Sequence, residues 1–134
     1  MNLLTFSLKK NKTKNYNVLF VKINKEIFTA SNSEVDSTLV EFKKYIGENP
    51  GILIIYDGRL IQTVDKKMIW ENMHKVTTFN ELGRKNIKAQ SIIINNKAII
   101  SIVKTITKIH PFVVKKTSFV TNNKDALEYI ESNL

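Results

Sequence analysis

The chain has no cysteine, which removes disulfides, thiolate metal ligands and thiol nucleophiles together and suits a reducing compartment. Glycine and proline are scarce, at four and two residues, so collagen-like and disordered compositions are excluded. Long apolar runs are missing too. Ile52 to Tyr56 stops at Asp57, and Ala89 to Ile109 is interrupted by Asn95, Asn96, Lys97 and Lys104; both fall short of the roughly 20 apolar residues a membrane span needs. No such run precedes a small-residue cleavage site between Met1 and Lys14, so a cytoplasmic location is expected. Acids are few, 12 against 21 Lys and Arg, for a net charge of +9.

The absences extend to chemistry. No Gly-x-Gly-x-x-Gly, Walker, Gly-x-Ser-x-Gly or His-Glu-x-x-His pattern occurs, so the common phosphate cradles, nucleophile elbows and zinc sites are missing. His74 and His110 have no companions at metal-ligand spacing, and Asp57 and Asp65 are not placed as a catalytic carboxylate pair. We expect no catalytic residue, no metal and no cofactor. The basic residues are uneven: Met1 to Lys25 holds six lysines and no acid, and Leu82 to Lys124 nine basic residues and no acid. Such a surface can attract nucleic acid or anionic lipid. The alternative is compositional bias in a chain rich in Lys, Asn and Ile. The diffuse spread favours bias and disfavours nucleic acid as the partner.

What is present is an alternation of short β runs and helical stretches in 134 residues with 43% apolar content, enough for one domain with its own core. Leu4, Phe6 and Leu8 alternate with polar residues, and Val18 to Ile23 resumes the strand signal. Leu3 to Lys9 and Tyr16 to Ile23 therefore predict a hairpin across the Asn11 to Asn15 turn. Asn24 to Asn32 reads as a short extension through Ile27 and Phe28. Ser33 with Asp36 resembles a capping box ahead of Val35, Leu39, Phe42 and Ile46 at helical spacing, with Gly47 and Pro50 marking the end. A strand from Gly51 to Asp57 follows. A long helix from Asp65 to about Asn86 comes next, with Met68, Ile69, Met73, Val76, Phe79 and Leu82 as its inner stripe and Gly83 where the last turn can fray. Strand Ala89 to Ile94, helix Lys97 to Ile109 ended by His110-Pro111, strand Val113 to Val120 near a sheet edge and a last helix capped by Thr121 complete the chain. The expected fold is α/β: a single domain over residues 1–134 and a single mixed sheet of about five strands. An N-terminal hairpin leads into parallel βαβαβ with four helices, in the order ββαβαβαβα.

Three junctions carry a likeness beyond this pattern: the apolar strand ending Tyr56-Asp57-Gly58-Arg59 before a long helix, Ser91-Ile92-Ile93-Ile94-Asn95-Asn96 before an apolar helix, and Ser118-Phe119-Val120-Thr121-Asn122-Asn123-Lys124-Asp125-Ala126-Leu127. In this order they resemble the STAS superfamily of bacterial anti-sigma-factor antagonists and sulfate-transporter tails, from about Tyr16 onward. The chain looks most like its small stand-alone members related to CRAL-TRIO lipid-transfer domains. The resemblance implies a regulatory, protein-binding module, with lipid or another small apolar ligand as the alternative. In phosphorylatable antagonists the loop reads Asp-Ser-Ser-Gly, and its second Ser accepts phosphate. Here Asp57 matches, but Gly58, Arg59 and Leu60 follow. The acceptor position holds an arginine, which that chemistry cannot phosphorylate. Thr63 is the nearest hydroxyl.

The candidate partner-binding residues are Asp57, Gly58, Arg59, Asn95, Asn96 and Trp70. Parallel sheets place ligands at the carboxyl ends of their strands, where Arg59 can fork onto a carboxylate or phosphate and Asn95-Asn96 can add hydrogen-bonding groups. Each has a structural alternative. Asp57 and Gly58 can be a plain turn with Arg59 paired to Asp57 or Asp65, and the asparagines can cap the next helix. Trp70 falls off the Ile69, Met73, Val76 stripe and is expected to be partly exposed, a hint of a protein contact. The expected partner is another protein; a second copy of the chain is also open.

Overall fold

The computed structural model describes residues 2–83, 85–109, 114 and 116–134, with the backbone alone at 80, 82, 83, 107 and 109. The termination at His110-Pro111, the start of the last strand at Val113 and the inward side chain of Leu82 lie outside what is described, while the long helix expected to run to about Asn86 ends at Gly83. Five strands, β1 (Leu4–Asn11), β2 (Tyr16–Ile23), β3 (Ile52–Asp57), β4 (Ile87–Ile93) and β5 (Thr117–Val120), alternate with four helices, α1 (Asn32–Glu48), α2 (Lys66–Gly83), α3 (Lys97–Ile109) and α4 (Asn123–Glu131). The strands lie in the order β1-β2-β3-β4-β5, β1 antiparallel to β2 and all later pairs parallel. The expected order ββαβαβαβα and the mixed sheet are what is found.

This order decides where the helices go. Each crossover steps the same way across the sheet, and crossovers are right-handed, so α1, α2 and α3 must share one face. They do, over a core that includes Leu19, Val21, Ile54, Tyr56, Phe42, Phe79, Ile69 and Ile99. The opposite face belongs to α4, whose Ala126 and Ile130 pack on Val18, Leu53, Ile55, Ala89 and Ile93. The interior strands β3 and β4 are thus apolar on both faces, which is why they read as continuous runs rather than alternations. A tether holds α4 to the hairpin: Lys14 Nζ and Tyr16 Oη both donate to the Glu131 carboxylate, at 2.7 and 3.1 Å, and Glu131 is acidified by these bonds.

Several expected boundaries move, each for a local reason. Residues Lys25–Thr29 form a 3₁₀ turn, not a strand extension. A strand would send Ile27 and Phe28 to opposite faces, whereas the turn buries both. Ser31, not Ser33, caps α1: Glu34 N donates to Ser31 Oγ at 3.2 Å, and Ser31 N to Glu34 Oε1 at 3.1 Å. Two Ser-x-x-acid spacings compete here, and the longer glutamate closes the box. Gly47 lies inside α1, which ends at Glu48 and is capped by Asn49, whose Nδ2 donates to Tyr45 O. Asn122 rather than Thr121 caps α4, its Oδ1 accepting from Asp125 N at 2.9 Å, in keeping with the preference for Asn over Thr at this position. Met68 is 37% exposed and leaves the inner stripe of α2. β5 is four residues long and forms one edge of the sheet, as expected, and β1 the other.

Candidate functional site

Because β2 to β5 are parallel, residues following Ile23, Asp57, Ile93 and Val120 gather at one rim. Asp57 pairs in register with Ile93, and Gly58 N donates to Ile93 O at 2.9 Å. Beyond Gly58 a 3₁₀ turn, Arg59–Thr63, leads toward α2. Its Gln62 Oε1 accepts from Asn95 N at 2.8 Å. The arginine-bearing turn and the two asparagines are therefore neighbours, joined by hydrogen bonds between their own elements.

Within the turn, Asp57 and Arg59 are locked together. Arg59 Nε and Nη2 donate to Asp57 Oδ1 and Oδ2 at 2.9 and 2.8 Å, and Arg59 N adds a third bond to Oδ1 at 3.1 Å. This is a bidentate, charge-assisted fork. The guanidinium holds the Asp57 carboxyl below the usual carboxylate range, with the nearby Lys22 ammonium helping, and Asp57 holds Arg59 above its ordinary value. The Arg59 side chain nevertheless remains 45% exposed, so its outer edge is open to a second anion or a carbonyl.

Gly58 is required by space rather than by conformation. A Cβ there would lie 3.0 Å from Ile94 Cγ1 and 3.2 Å from Ile93 O, while its φ of −99° suits any residue. Asn96 Oδ1 accepts from Ala98 N and Ile99 N at 2.9 and 3.3 Å, so it caps α3 and half of its carboxamide is committed. Asn95 is exposed. Thr63 is exposed and donates to Leu60 O at 2.8 Å.

Trp70 is 51% exposed on the second turn of α2. Seven residues on, nearly in line along the helix, Thr77 faces a space shared with Val103 of α3. Trp70 therefore sits on the α3 flank of α2, toward the rim where Asn95-Asn96 begin α3. Met68 sits on the other flank, in line with Lys75, whose Nζ donates to Phe28 O and Ala30 O. Among the described residues no three His, Cys, Asp or Glu side chains are grouped to hold a metal.

Sequence reasoning missed three participants. Lys22 stands opposite Asp57 only once the β2–β3 register is known. Gln62 sits within an apolar-looking turn. Tyr56 is a phenol in an aliphatic strand, and strand parity sends it inward with Ile54, a signal that was available.

The fold is SpoIIAA-like, the STAS-like arrangement of a mixed five-stranded sheet and four helices. The chain is similar to the crystal structure of an uncharacterised DUF3478-family protein with a SpoIIAA-like fold from Shewanella loihica PV-4, at 12% identity, a TM-score of 0.59 and 97% coverage of both chains. No family model matches the sequence, and no curated protein matches it. Among the described residues no helix is long and apolar enough to cross a membrane.

Proposed function

We propose that this chain is a non-catalytic regulatory module that binds a protein partner at the rim formed by Asp57, Gly58, Arg59, Asn95 and Asn96, with Trp70 beside it. The observation that supports this reading is the partly exposed arginine fork on the same rim as Asn95, whose N donates to Gln62 of the arginine-bearing turn. Arginine and tryptophan are both enriched at interface hot spots, and Trp70 is 51% exposed on α2. The occupant of the phospho-acceptor position is a guanidinium already bonded to Asp57, so recognition would be constitutive rather than switched by phosphorylation at this loop.

A pull-down from native lysate tests the proposal, comparing wild type with Arg59→Glu and Asp57→Ala. The first reverses the charge offered to the partner, and the second releases the guanidinium. Loss of the same band with both variants is the expected result, and unchanged recovery with both removes the surface. The space between the sheet and helices α2 and α3 is about 30 Å³, far below the several hundred a lipid-sized site takes, so a lipid is not held there.

A further inference from the structure

Helix α3 turns a single sign of charge to solvent. Its 13 residues contain no acid, and its buried side, Ile99, Val103 and Ile106, faces the core. The opposite side carries Lys97, Ser101, Lys104 and Lys108, all exposed. Helical geometry brings these three lysines within about 40° of arc around the axis and spreads them over about 16 Å along it. In the sequence they are separate letters; the helix makes them a row. Lys104 Nζ lies 5.5 Å from the ring centre of Phe119 on β5, so the row follows the β5 edge of the sheet, and the exposed Lys116 precedes that strand. Little opposes this charge. No acid occurs from Leu82 to Lys124. On α2 alongside, Glu71 is paired with Lys67 at 3.9 Å, and Glu81 lies near the end of the helix. The acids of α4 are on the other face of the sheet.

We propose that this row is a nucleic-acid interface, on which the lysines bind the phosphodiester backbone without reading base sequence. Along one strand of a duplex, about five phosphates fall within the length of the row. Each phosphate neutralised releases condensed counterions, the driving force such contacts share. Lysine suits the task as a point charge on a flexible stem, which can follow a backbone of any sequence. An anionic bilayer offers similar charge but gains most from apolar side chains that enter it, and none of the described residues of α3 is a large apolar one left exposed. The row descends from the rim along α3, so this interface does not depend on the protein partner proposed above.

The test titrates the full chain into a short fluorescein-labelled DNA duplex, and into an RNA single strand, across a series of salt concentrations. Fluorescence anisotropy reads the affinity. The row variant is Lys97→Gln, Lys104→Gln and Lys108→Gln together, which keeps good helix formers at exposed positions. The control is Lys9→Gln, Lys10→Gln and Lys12→Gln, which removes the same charge from exposed positions at the β1 edge. Wild type is expected to bind at least one of the two oligonucleotides. In the row variant the slope of log affinity against log salt should become shallower by about 3, one for each lysine, while the control stays within about twofold of wild type, as distant charges are screened. Equal losses in the two variants would show delocalised attraction and overturn the proposal, as would a row variant that binds like wild type. Failure of wild type to bind either oligonucleotide at low salt would also overturn it, whether or not phosphatidylserine vesicles are retained.

Discussion

At the scale of single residues, Gly58 and Asp57 set the geometry of the rim in different ways. Gly58 lets the turn press against β4, and a Cβ there would lie 3.0 Å from Ile94 Cγ1 and 3.2 Å from Ile93 O, so the neighbours would have to give way. Gly58→Ala is expected to cost about 1–3 kcal/mol in urea unfolding, the usual penalty of overpacking. A variant as stable as wild type would mean that the turn has slack the structure does not show. Asp57 acts through charge. Its carboxyl is acidified in the folded chain, so the pair with Arg59 stabilises the fold above the ordinary aspartate range, about pH 4. That contribution disappears as pH falls through the depressed folded value. Asp57→Asn should therefore be the less stable protein at neutral pH, by under about 1 kcal/mol for so exposed a pair, and the gap should close on acidification. A gap that widens in acid would contradict the assignment.

At the scale of elements, helix starts were the least legible part of the sequence. Ser31-x-x-Glu34 and Ser33-x-x-Asp36 share a spacing, and only the longer acid closes the reciprocal box. Ser31→Ala is expected to lose about 1 kcal/mol of stability. Ser33→Ala should change little, and the opposite ranking in chemical denaturation would restore the later start. Thr121 and Asn122 pose the same ambiguity one residue apart. The strands were easier to read: β3 and β4 are apolar on both faces because helices cover both, and uninterrupted runs such as Ile52 to Tyr56 announce that directly. The segment before α1 reads as a strand because Ile27 and Phe28 carry a strand-like composition, but it lacks strand parity and folds as a 3₁₀ turn. Which side chain faces which neighbour was invisible until the register was known. The sequence leaves Arg59 a choice of Asp57 or Asp65 and the structure selects Asp57, whereas Lys22 opposite Asp57, Gln62 beneath Asn95 and the unpaired hydroxyl of Tyr56 all depend on long-range placement.

At the scale of the whole molecule, one rule of chain topology does most of the organising. A monotonic strand order with right-handed crossovers puts three helices on one face, leaves α4 to cover the other, and gathers the loops after β2, β3, β4 and β5 at a single rim. The functional account follows from that gathering, because the arginine turn, the asparagine pair and the exposed tryptophan come from three separate stretches of sequence. Site-specific photo-crosslinking tests it most directly. A benzophenone side chain is placed at Trp70 or at Lys97 beside the rim, and at Val40 on α1, which is 68% exposed. The account expects the same protein partner to crosslink from positions 70 and 97 and not from 40. A partner captured from Val40, with nothing from the rim, would contradict it.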